Sequence, residues 1–286
     1  LGLHPEDIAD TIILVGDPQR VVKVAEHFDE IEFTKQKREF ITTTGRIGNK
    51  RWTVMATGIG VDNIDIVVNE LDALANIDFK TRTVKEKLRS LQLIRLGTSG
   101  SVRRDLPVES LVAANYGIGL DGLMLFYEEI LNAKERGLQE NFDAYLKNID
   151  FKFPLTPTYS QAAPNLVQLF QGPEWNHGIT ATATGFYAPQ NRTIRAKSVV
   201  EDLFEVVEPF IYDGLHITNL EMETSAIYGL ANLLGHQPLA LNVILANRPA
   251  GTFSADPKAL ERIAILVVFR PTDNGCLLYT SPSPRD

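Results

Sequence analysis

The chain has 286 residues, 44% of them apolar and 22% charged, the balance of a globular protein of one or two domains rather than a disordered or fibrous one. The 28 Lys and Arg against 36 Asp and Glu leave a net charge of −8, which repels nucleic acid and anionic lipid, so neither is expected as a partner. The longest unbroken apolar run, Ile263 to Phe269, falls far short of the roughly 20 residues that span a bilayer, and one cysteine allows no internal disulfide, so a reduced, cytoplasmic setting is expected.

In chain order, the β-branched run Thr11 to Val15 ends at Gly16-Asp17-Pro18, with Pro18 suited to the first turn of a helix. Glu39 to Thr44 and Arg51 to Thr57, joined by a Gly-containing loop, predict a hairpin. After Gly58-Ile59-Gly60, apolar residues at helical spacing predict a helix over Asp62 to Asn76, with Asp62 as its cap. Leu91 to Leu96 and Ser110 to Ala114 read as strands, and Asp121 to Arg136 and Leu138 to Lys147 as helices. Thr180 to Thr184 reads as a strand, Glu221 to Leu234 as a helix, Leu239 to Ala246 as a strand, and Pro257 to Phe269 as the last helix. Strands alternating with helices predict an α/β fold, a single-domain three-layer sandwich whose mixed, largely parallel sheet is flanked by helices.

The domain is expected to span residues 1–270. Beyond it, 271–286 has no period and three prolines, and its closing run resembles translated sequencing adapter, so it is read as a non-native disordered tail. The chain begins at Leu1, so the start is read as processed or missing.

In such sheets ligands sit beyond the carboxyl ends of the strands. The first strand delivers Gly16, Asp17 and, a helical turn on, Arg20; the strand at Leu91 delivers Arg95, Gly97, Thr98, Ser99 and Gly100. Backbone amides, hydroxyls and guanidinium groups together suit an oxyanion such as phosphate, although a Gly-rich loop alone is more often a plain turn, and it is the two loops together that make the case. Asn219-Leu220-Glu221-Met222-Glu223 opens a helix, where a carboxylate either complements the dipole or accepts from sugar hydroxyls. Gly185 to Arg192 offers a stacking ring in Phe186, a donor and acceptor in Gln190, and donors in Arg192, a set that matches the edge of a planar heterocycle; taken alone, a solvated surface loop is the preferred reading. Gly117-x-Gly119-x-x-Gly122 spells a dinucleotide fingerprint, but no strand ending in an acidic residue follows at the required distance, so nicotinamide binding is not expected. Gly97 to Ser101 misses the nucleophile-elbow pattern by one place. The 5 histidines are scattered without ligand spacing, and no metal site is expected.

Taken together, Gly-Asp-Pro-x-Arg at 16–20, Arg-Glu-Phe at 38–40, Thr-Gly-Ile-Gly at 57–60, Arg-x-Gly-Thr-x-Gly at 95–100, Phe-Tyr-x-x-Gln-x-Arg at 186–192, Asn-x-Glu-Met-Glu at 219–223 and Asn247-Arg248 occur in an order that resembles the nucleoside phosphorylases of the hexameric bacterial type, and within them the uridine phosphorylases. The resemblance covers nearly all of Leu1 to Phe269. It implies reversible phosphorolysis of a glycosidic bond, with inorganic phosphate as co-substrate and no metal or organic cofactor. It further implies that Gly16, Arg20, Arg95 and Thr98 bind phosphate, that Arg38 reaches the phosphate of a neighbouring subunit, and that the chain self-associates as dimer units into a hexamer. Met222, Glu223 and Phe186 would hold the ribose; Phe186, Gln190 and Arg192 would hold the base; Arg95, Glu223 and Arg192 would carry the catalysis. The family's histidine for the sugar 5′-hydroxyl would fall before residue 1, and His4 does not inherit that role.

Three rivals remain at this point. A purine nucleoside phosphorylase of this type places an Asp where Arg248 stands here. A nucleosidase attacks with water and has no use for Arg20, Arg38 and Arg95 together. A non-catalytic nucleoside- or anion-binding protein would use the same scaffold without turnover.

Overall fold

The computed structural model describes residues 1–128 and 130–255, and the backbone of 271–272 and 275–276. The helix expected over Pro257 to Phe269 lies outside the described residues. Strand β1 (Thr11–Val15) runs into α1 (Pro18–Ala25), where Asp17 Oδ1 accepts from the Gln19 amide and Pro18 occupies the first turn. The predicted hairpin is there as β3 (Phe40–Ile47) and β4 (Lys50–Ala56), preceded by a third antiparallel strand, β2 (Glu30–Lys37), that pairs with β3. β2 escapes a periodicity reading because it is an exposed edge strand carrying Glu30, Glu32, Lys35 and Lys37, which blunt its free side. Helix α2 (Val61–Asn76) starts after Gly60, not Asp62, at its N-cap. Two short strands, β5 (Ile77–Asp78) and β6 (Thr83–Val84), pair with each other.

Strand β7 (Gln92–Ser101) continues well past the expected end at Leu96, so the segment Gly97 to Gly100 is strand and not a loop. Strand β8 (Leu111–Leu120) likewise absorbs Gly117 and Gly119. Of the helix expected over Asp121 to Arg136 only the last turn is α-helical among the described residues: Leu123–Phe126 forms a 3₁₀ turn, and α3 (Ala133–Asn148), which takes in the helix expected over Leu138 to Lys147, starts only after Asn132. The reason is local, because Asn132 and Glu135 form a capping box that fixes where the helix begins. There follow β9 (Thr158–Gln161), α4 (Pro164–Val167), β10 (Trp175–Ala183), α5 (Leu203–Val207), β11 (Ile211–Tyr212) and β12 (Leu215–Glu221). Glu221 therefore ends a strand, and α6 (Thr224–Leu233) begins three residues later than expected. The chain continues through β13 (Gln237–Asn247) and β14 (Thr252–Phe253); β15 (Pro271–Thr272) and β16 (Gly275–Cys276) pair with each other.

The large sheet runs β11-β12-β10-β8-β13-β7-β1-β4-β3-β2 and is mixed and largely parallel, as the sequence predicts, with β8 and β13 antiparallel in its middle. It does not stay open. β7 bends back to pair antiparallel with β12, Ser101 opposite Asn219 and Gly100 opposite Leu220, so β12, β10, β8, β13 and β7 close a ring. One apolar cluster, with Ile13, Val54, Ile64, Leu71, Ile94 and Leu241, lies where α2 and α6 meet β1, β4, β7 and β13. A second, with Ile118, Phe142, Ile179 and Leu220, packs α3 and α5 on β8, β10 and β12.

Tyr228 of α6 ties this ring together: its hydroxyl donates to Ala114 O of β8 at 2.8 Å and accepts from the Ala240 amide of β13 at 2.7 Å, all in the core. Tyr228→Phe strands both backbone groups, so chemical denaturation should show a loss of about 2–4 kcal/mol; a loss under about 0.5 kcal/mol would mean the hydroxyl does not bridge the strands.

Candidate active site

Ring closure sets the end of β12 beside the end of β7, and the site grows from that junction. Arg95, in the middle of β7 and 7% exposed, sends its Nη2 to the carboxylate of Glu223, and Glu221 Oε2 lies 3.3 Å from the same nitrogen. Arg95 Nη1 donates to Asn242 Oδ1 at 3.0 Å. Glu223 Oε1 accepts from the Gly60 amide at 2.8 Å, which draws the turn after β4 into the same cluster. Gly97 makes the arrangement sterically possible, since a Cβ there would sit 1.4 Å from Arg95 Nη1.

Arg20 belongs to the same electrostatic neighbourhood. Burial, and after it the Arg95 charge, pulls its guanidinium below the ordinary arginine value, while Asp17 and Glu223 push it back. For Arg95 itself burial opposes the charge, but Glu223 and Glu221 outweigh it and hold the group above the ordinary value. Burial raises Glu221, with Arg95 opposing. Glu221 also caps α6: its oxygens accept from the amides of Glu223 at 3.0 Å and Thr224 at 3.0 and 3.1 Å, and Oε1 accepts from Thr182 Oγ1 at 2.7 Å. The helix N-terminus is thus bolted to β10 and β12, and Glu223 emerges from it already aimed.

The fingerprint-like glycines serve the same helix. A Cβ on Gly119 would meet Ser225 Cβ at 3.2 Å and one on Gly117 would meet the Ser225 backbone, so these positions let the start of α6 lie directly on β8. Asp121 completes the seat by accepting from Ser225 Oγ at 2.7 Å.

The second group forms around Gln190, which is 2% exposed at the end of a short 3₁₀ turn. Its Oε1 accepts from Arg192 Nη1 at 2.8 Å and from Arg248 Nη2 at 2.6 Å. The Arg192 guanidinium also lies 3.6 Å from the centroid of the half-exposed Phe186 ring and donates to Phe186 O at 2.6 Å. Arg248, which follows β13, donates to Gln190 O at 2.8 Å, and its backbone amide bonds Ser101 O at the end of β7. Burial, then Arg192, pulls Arg248 down to about 10. The amide of Gln190 therefore differs from its expected role: its acceptor is occupied by two guanidinium groups.

Of the predicted residues, Arg95 and Glu223 form an ion pair with Arg20 in their electrostatic neighbourhood, and Phe186, Gln190 and Arg192 form one group of their own. Gly16 follows β1 directly beside Gly58, and Met222 is half-buried between the two carboxylates. Thr98 is half-buried on β7 opposite Val243 and takes no part in the hydrogen bonds that join Arg95, Glu223 and Gly60. Arg38 is not brought to this cluster within the chain: it is exposed in the β2–β3 turn, with φ 54°. Three contributors had no assigned role from sequence. The residue types alone explain Glu221 by the helix dipole and set Arg248 apart only as a mismatch to an acid, and the signal for Asn242 is a polar residue inside the apolar run Leu239 to Ala246.

Removing Arg95 leaves two carboxylates buried without a counter-charge. Arg95→Met should lose about 3–5 kcal/mol at pH 8. Because Glu221 is already raised by burial and rises further without Arg95, the folded variant takes up protons as pH falls. Its deficit against the parent should therefore shrink between pH 8 and pH 5 in urea titrations, and a deficit constant across that window would show that the carboxylates are not the source.

The profile of the Phosphorylase superfamily matches residues 10–266. The uridine phosphorylase of Thermococcus kodakarensis is 27% identical over 274 residues, 93% of this chain and 82% of that protein. A DeoD-type purine nucleoside phosphorylase of Listeria welshimeri is 36% identical over 109 residues, 38% of this chain and 41% of that protein. Among solved structures, a Trypanosoma brucei nucleoside phosphorylase with uridine phosphorylase activity is similar with a TM-score of 0.80 and 28% identity, over 93% of this chain and 95% of that one. With the profile matched along nearly its whole length and the same fold in its relative, the chain belongs to the phosphorylase superfamily.

Proposed function

We propose that this protein catalyses the reversible phosphorolysis of a pyrimidine nucleoside, uridine with phosphate giving uracil and ribose 1-phosphate, in nucleoside salvage. The observation that carries the reading is the ion pair of Arg95 and Glu223, with Gly60 bonded to the same carboxylate and the Arg20 charge in the same neighbourhood; guanidinium groups suit an anion and the carboxylate suits sugar hydroxyls. The full-length relative from Thermococcus, itself a uridine phosphorylase, and the Trypanosoma structure point the same way.

Phosphorolysis breaks N1–C1′ and forms a phosphate O–C1′ bond; the departing base keeps the electron pair, and the sugar passes through an oxocarbenium-like state. Little covalent work falls to the protein. Arg20 and Arg95 orient the phosphate dianion on one face of the sugar, where it is both the attacking group and the counter-charge. Of the five N–H groups of Arg95, the Nε–H and one Nη1–H lie outside the contacts with Glu221, Glu223 and Asn242. Glu223 has one lone pair on each oxygen beyond those used by Gly60 and Arg95, and these accept the ribose hydroxyls more strongly as the ring becomes cationic. Met222 and Phe186 line the sugar. Negative charge developing on uracil meets Arg192, Gln190 Nε2–H₂ and the buried Arg248, an edge made of donors.

Arg248 bears on the purine alternative, since a guanidinium is not the acid that would protonate a departing purine. A water-using nucleosidase would leave Arg20 and Arg95 without an anion to hold. We further propose that residues 1–270 make up the catalytic domain, that it works as dimer units within a hexamer in the cytoplasm, and that the exposed Arg38 serves the phosphate of a neighbouring subunit. Phosphate is the co-substrate, with no metal or organic cofactor.

An absorbance assay with uridine and inosine, with and without phosphate, tests the reaction: uracil release should require phosphate and inosine should be left intact. Undiminished release after phosphate is dialysed away selects the nucleosidase, and rapid inosine cleavage selects the purine enzyme. Glu223→Gln should lower kcat on the order of 100- to 1,000-fold, and Arg192→Ala should weaken uridine turnover with little change in the KM for phosphate.

A further inference from the structure

Strand β13 is apolar through its centre except for Asn242, which is 0% exposed and stands in register with Gly97 of β7 and Val112 of β8. Its Oδ1 accepts from Arg95 Nη1 at 3.0 Å, whereas its Nδ2 has no hydrogen-bond partner among the described residues. A buried amide with one end unpaired costs stability, and an aliphatic residue would serve a strand core better. What Asn242 contributes must therefore lie in what its oxygen does to Arg95.

A guanidinium facing a carboxylate prefers a bidentate fork, two parallel N–H···O bonds. Arg95 does not adopt it: Nη2 alone reaches both Glu223 and Glu221, and Nη1 is turned to Asn242. Gly97 keeps that path open, since a Cβ there would sit 2.5 Å from Asn242 Oδ1 as well as against the guanidinium. We propose that Asn242 is a positioning residue of the phosphate site: by holding Nη1 it keeps Arg95 from folding flat onto Glu223, so that Arg95 retains donors and charge for the anion. The proposal rests on the phosphorolysis reading above and adds to it a residue that never touches substrate.

Two readouts test it, steady-state kinetics and calorimetric titration of the protein with inorganic phosphate. Asn242→Ala should raise the KM and Kd for phosphate about tenfold, the worth of one hydrogen bond to a charged group. The uridine KM and the kcat at saturating phosphate should stay within about twofold. Asn242→Asp keeps the acceptor but sets a negative charge against Arg95, and should weaken phosphate further than Ala does. Should the Ala variant fold poorly, Asn242→Ser carries the same comparison with a short polar side chain. A folded Ala or Ser variant that binds phosphate as the parent does overturns the proposal while leaving the phosphorolysis reading intact. So does a parallel fall in kcat, uridine affinity and phosphate affinity, the signature of a general core defect. A parent protein that neither binds phosphate nor uses it overturns both.

Discussion

A guanidinium in the interior of a strand is tolerable only beside opposite charge, and Arg95 finds it in two carboxylates, one at the end of β12 and one at the N-terminus of α6, more than a hundred residues away in sequence. The rest of the site depends on that ion cluster. Glu221 faces two ways, toward Arg95 and toward the first amides of α6, so the charge balance of Arg95 and the seating of the helix that carries Glu223 are one constraint. Glu223 in turn reaches the Gly60 amide and so fixes the turn that leads into α2. Side chains held from several sides at once need little reorganisation during a reaction, which is how preorganised charge lowers a barrier.

The same logic shapes the backbone. Closing β7 onto β12 brings Gly100 against Leu220, and the residues just beyond each pair become neighbours. Small residues appear where the packing leaves no room: Gly97 under the Arg95 guanidinium, and Gly117 and Gly119 under the start of α6. A spacing that spells a phosphate-binding fingerprint thus has a packing explanation. At the other end of the site, Gln190 is locked by Arg192 and Arg248, so a loop residue gains the rigidity of the sheet edge to which Arg248 is tied through Ser101.

Much of this was legible beforehand. The β1–α1 turn, the β3–β4 hairpin and α2 follow from β-branched runs, Pro18 and helical spacing, and the anion-binding candidates Gly16, Arg20 and Arg95 from residue chemistry at strand ends. Strand β2 was not, because its charged, exposed side chains carry no burial period. The start of α3 at Ala133 is not legible either, because polar residues at helical spacing do not reveal the Asn132–Glu135 capping box that sets it. Glycine misled in the other direction: at 97 and 100 it suggests a loop, whereas in the fold it permits close approach within a strand.

Sequence alone determined which chemical groups were available and which local elements would form, because periodicity, caps and charge act over a few residues. Only the tertiary structure decided which of those groups would meet. The pairing of Arg95 with Glu223, the occupation of the Gln190 acceptor by Arg248, and the turn of Arg95 toward Asn242 depend on a ring of strands closing over separations of 58–147 residues. Contacts at that range are fixed by sheet register and by what low-dielectric burial permits, and neither is written in any local stretch of the chain.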